Sequence, residues 1–326
     1  MEKKRIMILV LILILLVGIV GCSDDDGIKG YNLTVGSKEE GNGEVTVDPQ
    51  RNSYEEGTEV TLTPSGKGEY NFDHWEGSGY DENTNNPLTV TMTNDVNLVA
   101  VFAKDIILPE MVEVTAGTAA DGSTEITNDI EMSKYEIKQE EFESVMGFNP
   151  SNFSGNNLPV EQVTWYDAVM YCNKLSEAEG LDKYYDISDI TYNGTEGASN
   201  ITGATVTENT NANGYRLPTS TEWEYAARGG NNGTNTTYAG SNAIGDVAWY
   251  MDNSDSTHPV GDKDANELGI YDMSGNVWEW TNTSSDSNRC GGGWGSDSNT
   301  CEVDIVYNTG PANIMSHVGF RLTKTK

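Results

Sequence analysis

Histidine is nearly missing from this chain: His74, His258 and His317 are the three among 326 residues, and no two lie close in sequence. A histidine-ligated metal centre or a Ser-His-Asp relay has little to be built from. Cysteine is almost as scarce. Cys22, Cys172, Cys290 and Cys301 form no C-x-x-C pair, which rules out a zinc ribbon. The three cysteines beyond Cys22 permit one disulfide at most. Basic residues are also few, 19 Lys and Arg against 51 Asp and Glu, for a formal net charge of −32. Charge of that sign repels nucleic acid and anionic membrane surfaces. Nucleic acid is therefore excluded as a partner, and divalent cations are the natural counter-ions.

Long apolar runs are absent except at the start, where Ile6 to Gly21 follows Lys3, Lys4 and Arg5. The run is short for a membrane-spanning helix, which needs about 20 apolar residues. It suits the hydrophobic region of a secretory signal, with small residues at the cut. Ile19-Val20-Gly21-Cys22 resembles the lipobox of bacterial lipoproteins. That resemblance implies removal of residues 1–21 and a lipid on Cys22 holding the chain to a membrane. Ser23-Asp24-Asp25-Asp26-Gly27, within residues 22–30, looks like the acidic tether that carries some Gram-negative lipoproteins to the cell surface. The implied location is the outer membrane, facing outward. Losing three basic groups and Glu2 would leave the mature chain near −34.

Residues 31–103 read as a small all-β module. Leu33 and Val35, Val45 and Val47, Val60 and Leu62, and then Leu88, Val90 and Met92 alternate with polar neighbours. Turn-forming clusters such as Gly41-Asn42-Gly43 and Pro64-Ser65-Gly66 separate them. The stretch from Tyr31 to Phe102, with Tyr70-Asn71-Phe72-Asp73-His74-Trp75 at its centre, resembles the bacterial repeat related to the internalin B-repeat. Such modules imply a stalk. Trp75 and His74 are expected in the core and at its edge.

Asp105-Ile106-Ile107-Leu108-Pro109 is the expected linker, and residues 110–326 a single domain. Its pattern predicts three helices. The first runs from Lys138 to Met146. The second is capped by Thr164, buries Ala168, Tyr171, Cys172 and Leu175, and stops before Gly180. The third opens on the capping box Thr219-Ser220-Thr221-Glu222 and ends at Gly229-Gly230. Cys172 is expected to be a buried structural thiol, and residues 186–214 an exposed polar insertion.

Five segments in order carry a broader resemblance: Met111 to Glu136, Pro159 to Trp165, Tyr215 to Gly230, Leu268 to Trp280, and Val318-Gly319-Phe320-Arg321-Leu322. Together they resemble the formylglycine-generating enzyme (sulfatase-modifying factor) family over about 215 residues. The resemblance implies an α+β fold, that family's variant of the C-type lectin fold, behind the all-β repeat. Most of the shared residues are expected to be scaffold: Trp223 and Tyr225 at a helix start, Trp278 and Trp280 on a strand, Arg216 or Arg228 in ion pairs.

The resemblance also implies structural calcium, held by Asp272, the carbonyls of Gly275 and Val277, and the carboxylate of Glu279. Hard oxygen donors in a tight loop suit that ion. Asp246 and Val247 match part of a second, weaker site. Asp262 to Glu267 is rejected as an EF-hand loop, because it lacks the required glycine and the closing glutamate. Enzymes of the family oxidise a substrate cysteine with copper held by two cysteines, two and seven positions after the aromatic of a Gly-Gly-Ser-aromatic motif. Here that aromatic is Trp294; Cys301 stands at the second place, but Ser296 holds the first. A hydroxyl does not replace a soft thiolate for Cu(I). No catalytic residue and no copper are expected on this reading. A Cys290–Cys301 disulfide stays open.

From Trp294 onward the chain also resembles the variable region of retroelement-diversified proteins. Trp294, Cys301, Pro311 and Gly319-Phe320-Arg321 match the fixed frame. Gly295, Ser296, Asp297, Asp304, Ile305, Tyr307, Asn308, Thr309, Ser316 and His317 are compatible with mutated asparagine codons; Met315 is not, nor is Glu302 unless it belongs to the fixed frame beside Cys301. The implied ligand face is Gly295, Ser296, Asp297, Ile305, Tyr307, Asn308 and His317, for a protein or glycan on another cell or particle. Tyr, Ser and Asn suit adaptable recognition. Two alternatives remain at this point: a formylglycine-generating or related copper oxidase using Cys301 and Cys290, and a structural accessory protein of the cell envelope.

Overall fold

The computed structural model describes residues 30–326, apart from 40, 69 and 283–287. The signal segment, Cys22 and most of the tether lie outside the described residues. The chain divides at Ile106/Ile107, inside the expected linker, into two compact units.

In the first unit the alternating apolar residues build two three-stranded sheets. One has the order Leu33–Ser37, Val96–Lys104, Tyr70–Glu76; the other Gly43–Asp48, Thr58–Gly66, Leu88–Met92. Strand Leu88–Met92 shows the rule at its simplest, with Leu88, Val90 and Met92 inward and both threonines outward. Val60, Leu62, Trp75, Leu98 and Ala100 fill one common core. Trp75 is fully buried and its indole N–H donates to the Asn85 carbonyl at 3.0 Å. His74 is buried beside it, with Asp73 2.8 Å from Nδ1.

The second unit contains helices α1 (Gln139–Met146), α2 (Trp165–Ala178) and α3 (Ser220–Ala227) where the pattern predicts them. Reciprocal caps start two of them. Thr164 Oγ1 accepts from the Asp167 N–H at 3.0 Å while Asp167 Oδ2 accepts from the Thr164 N–H at 2.9 Å. Thr219 and Glu222 do the same at 3.1 and 2.8 Å. Gly147, at φ 84°, ends α1 in a left-handed turn. Ala168, Tyr171, Cys172 and Leu175 are all fully buried. A single helical turn, Ile244–Val247, is too short to leave a periodic trace in the sequence.

The polar stretch expected as a plain insertion is a β-hairpin, Tyr185–Tyr192 against Ile201–Glu208. Asp167 pins it: one carboxylate oxygen accepts from the Ile201 N–H and the other from Asn200 Nδ2, each at 2.8 Å. Thr and Asn on its exposed faces mask the alternation of the few apolar residues.

Two sheets position the C-terminal segment. Thr323–Thr325, Ile130–Ser133 and Met111–Val114 form one, antiparallel throughout. The other has the order Val306–Asn308, Asn288–Cys290, Trp278–Trp280, Val318–Phe320, its last pair parallel. Phe320 packs edge-on against Phe142 and Tyr171, with ring centroids 6.2 and 5.4 Å away. Among the described residues, no helix is long and apolar enough to cross a membrane.

Candidate ligand-binding face

Beneath the C-terminal segment lies a buried charged centre. Arg321 is fully buried and grips Glu279 at two points, Nε to Oε2 and Nη2 to Oε1, each 2.6 Å. The same guanidinium donates to the carbonyls of Ser133 and Tyr271. Glu279 Oε2 also accepts from the Trp223 indole at 2.6 Å. Glu136, equally buried, accepts from the Val277 N–H and from Asn276 Nδ2. Burial, reinforced by the nearby Asp272 and Glu279, pushes the Glu136 carboxyl well above the usual range. Burial likewise lifts Asp272 to about 6. Three carboxylates thus face one guanidinium.

This centre decides how far the expected calcium donors fit. Asp272 is a buried hard-oxygen donor in surplus negative charge, with one oxygen accepting from the Gly261 N–H at 2.7 Å. Gly275 and Val277 follow in the same turn, where Asp272, Gly275 and Asn276 all take positive φ. That donor chemistry fits a hard cation. Glu279 does not fit, because both its oxygens are already held by Arg321 and Trp223. Asp246 is exposed and accepts from Ser241 Oγ at 3.2 Å, and Val247 is buried under it. Among the described residues no group of three or more His, Cys, Asp or Glu side chains is arranged to hold a metal ion.

The thiols are kept apart. Cys172, Cys290 and Cys301 are all free and buried, so the disulfide left open between Cys290 and Cys301 is not formed. Cys290 packs with Trp223 and Met273, whereas Cys301 packs with Tyr238 and Val247. Burial pushes the Cys301 thiol up to about 12 and the Cys290 thiol higher still. Thiols held neutral in this way are poor nucleophiles and poor metal ligands. Ser296 Oγ closes its own turn by accepting from the Gly293 N–H at 2.9 Å.

The segment from Trp294 to Arg321 separates into packed and open positions. Cys301, Phe320 and Arg321 are fully buried. A Cβ on Gly319 would overlap the Val160 carbonyl, and one on Gly292 would meet Cys301 Sγ. Trp294 is half-buried and ties the two arms together, its indole N–H donating to the Ser316 carbonyl at 3.0 Å. Pro311 supplies the carbonyl that accepts from the Trp165 N–H at 2.9 Å. By contrast Gly295, Asp297, Asp304, Tyr307 and Asn308 are exposed. A Cβ on Gly295 would meet nothing within 4 Å. Ser296, Ile305, Thr309, Ser316 and His317 are half-buried.

On the open side Tyr307 leans edge-on over Trp278, centroids 5.2 Å apart, and Asn308 Nδ2 donates to Asn288 Oδ1. Trp294 meets Phe153 and His317 edge-on at 5.7 and 6.4 Å. Asp297 Oδ1 is spent on capping the following turn at the Thr300 N–H. Tyr307 and Asn308 therefore lie on the edge strand with their side chains on opposite faces, Asn308 beside Asn288, and His317 belongs with Trp294. Sequence reasoning missed Arg289, which pairs with Tyr307 across the sheet and lies over Trp278 at 4.9 Å. Its signal was the alternation Asn288-Arg289-Cys290, too short to stand out.

Residues 97–326 match the family model of the sulfatase-modifying factor enzyme 1-like domain, and residues 31–106 that of the divergent InlB B-repeat domain. The chain is 42% identical to the chaperone protein LppX of Paenibacillus barcinonensis over 227 residues, 61% of this chain and 81% of that protein. Treponema denticola variable protein 1 has a similar structure, with a TM-score of 0.55 at 28% identity, covering 66% of this chain and 95% of its own. So does CarF, with a TM-score of 0.56 at 29% identity over 68% and 100% of the two chains. The fold is the α+β variant of the C-type lectin fold found in formylglycine-generating enzymes, preceded by a small all-β repeat unit. The chain belongs to the sulfatase-modifying factor enzyme 1-like domain family.

Proposed function

We propose that this protein is a surface-anchored lipoprotein whose second unit is a non-catalytic receptor, binding a protein or glycan ligand through its C-terminal face. The observation that carries this reading is the division between Trp294 and Arg321. Of the positions matching a fixed frame, Cys301, Gly319, Phe320 and Arg321 are buried, while Trp294 and Pro311 are half-buried and tied down by hydrogen bonds; the positions compatible with variation are open or half-open. A surface can change its chemistry at such positions while the fold keeps its core. Burial of Cys290 and Cys301, with a hydroxyl at position 296, speaks against the alternative of a copper oxidase.

The test is population sequencing of the codons for Trp294 to Phe320. Scatter confined to 295–297, 304, 305, 307–309, 316 and 317, with Trp294, Cys301, Pro311 and Gly319 constant, supports a diversified receptor. A uniform sequence removes diversification. Replacement of Tyr307, Asn308 and His317 by alanine then decides binding itself, since unchanged attachment to target cells ends the receptor reading.

The anchor and the ion are separate parts of the proposal. Palmitate labelling that disappears in Cys22→Ser supports the lipid, and surface protease access supports an outward-facing outer-membrane location. Calcium is proposed at Asp272 with the carbonyls of Gly275 and Val277, in a structural role and without Glu279 as ligand.

A further inference from the structure

The second unit holds four arginines, and three are paired with carboxylates: Arg216 with Glu222 at 2.6 Å, Arg228 with Glu224 at 2.7 Å, and Arg321 with Glu279 at 2.6 Å. The fourth is Arg289. In a chain carrying 51 acidic residues it has no carboxylate partner among the described residues. Its Nη1 donates to the thioether of Met315 at 3.2 Å, a weak acceptor, and its buried Nε–H has no partner among the described residues. Burial depresses its pKa, the direction expected of a guanidinium short of counter-charge.

Its surroundings are those of a recognition site. Trp278 forms the floor under the guanidinium, and Tyr307, 46% exposed, stands opposite in the strand register. Ile314, 37% exposed, directly precedes Met315, whose thioether the guanidinium touches. Aromatic, aliphatic and arginine side chains together are the composition of protein-interface cores. An exposed Ile offers sugar hydroxyls nothing to bond. A half-desolvated guanidinium with unmet donors is the natural seat of a planar carboxylate.

We infer that Arg289 anchors the carboxylate of an Asp or Glu side chain on a protein ligand, with Tyr307 and Ile314 covering apolar residues that flank it. This rests on the ligand-binding reading above and names the class of partner. It runs against the bulk charge of the chain, which repels acidic partners at long range, so the attraction is local to this one site. Salt therefore weakens the contact while also screening the general repulsion.

The experiment is selection of a displayed random peptide library on the full chain in detergent, at physiological salt. Bound pools are then re-tested against Tyr307→Ala, Arg289→Gln and Arg289→Lys. The inference expects peptides enriched in Asp or Glu beside apolar residues. Their binding falls roughly tenfold or more in Arg289→Gln and less in Arg289→Lys, which keeps the charge. Peptides that depend on Tyr307 but carry no acidic enrichment, and bind Arg289→Gln equally, overturn the inference and leave the face intact. A pool indifferent to Tyr307→Ala and Arg289→Gln alike removes both readings. Selective retention of uronate- or sialate-bearing glycans through Arg289, with no acidic peptide retained, also overturns it. So does concentration-dependent self-association abolished by Arg289→Gln, which would make the partner a second copy. Thermal melts of each variant verify that the fold survives.

Discussion

Arg321 and Glu279 form a fully buried two-point ion pair, each contact 2.6 Å, with the Trp223 indole on the same carboxylate. Removing one partner strands the other in a medium that solvates it poorly. Arg321→Met is expected to cost about 3–5 kcal/mol in urea unfolding. Glu279→Gln, which keeps the shape but strands the guanidinium, should fall in the same range. A loss under about 1 kcal/mol for both would mean that the pair is not the keystone its burial implies.

Glu161 supplies a pH test away from that centre. Burial pushes its carboxyl from 4.5 to about 7, although Oε1 accepts from the Phe153 N–H at 2.8 Å. Its other oxygen is buried without a partner among the described residues. A folded-state pKa above the unfolded one means that the folded chain binds the extra proton. Stability from this group is whole below about 4.5 and is lost as pH rises through about 7. Glu161→Gln should remove that slope, worth on the order of 2–3 kcal/mol between pH 4.5 and 8. Denaturant midpoints of the two proteins across this range measure it, and parallel profiles would contradict it.

The frame and the face should answer substitution differently. Tyr307→Ala, Asn308→Ala and Gly295→Ser are expected to change stability by about 0.5 kcal/mol or less. Trp294→Ala removes the tie to Ser316 and the contact with Phe153, and is expected to cost about 3 kcal/mol. Gly292→Ala should be comparably damaging, since the new methyl meets Cys301 Sγ. Thermal melts of the five variants suffice. Equal losses in both groups would erase the distinction.

Calcium at a hundredfold excess over its dissociation constant should raise the melting temperature by about 5 °C or more relative to EGTA. The rise should shrink in Asp272→Asn, which tolerates the positive φ of 57° but surrenders the charge. Identical melts with and without calcium would remove the ion from the proposal.

Copper should behave oppositely. Titration with Cu(I) is expected to show no tight site and no difference between the protein and Cys301→Ser. A tight site lost in that variant would restore the oxidase reading.

Much of this was legible in the sequence, and the reason is local. Capping boxes such as Thr164 to Asp167 and Thr219 to Glu222 announce themselves because their chemistry spans four consecutive residues. Alternation in Leu88-Thr89-Val90-Thr91-Met92 does the same. What escaped depends on contacts between distant positions. The Glu279–Arg321 pair, 42 residues apart, is invisible to spacing, and it is the family resemblance alone that makes Glu279 a metal ligand. Arg289 reads as nothing until Trp278 and Tyr307 close around it. The hairpin at 185–208 was hidden by polar residues on both faces.

The last eight residues of the chain are not a tail. Phe320 fills a ring cluster with Phe142 and Tyr171, Arg321 neutralises Glu279, and Thr323–Thr325 completes a sheet begun at Met111. The opening strand of the second unit must therefore wait, through some two hundred residues of synthesis, for its sheet to be finished. The repeat unit closes on pairings contained within residues 31–104 and needs nothing downstream. Chain order and folding order thus agree for the first unit and conflict for the second. A chain cut just short of Val318 would leave the first unit complete and the second without its core.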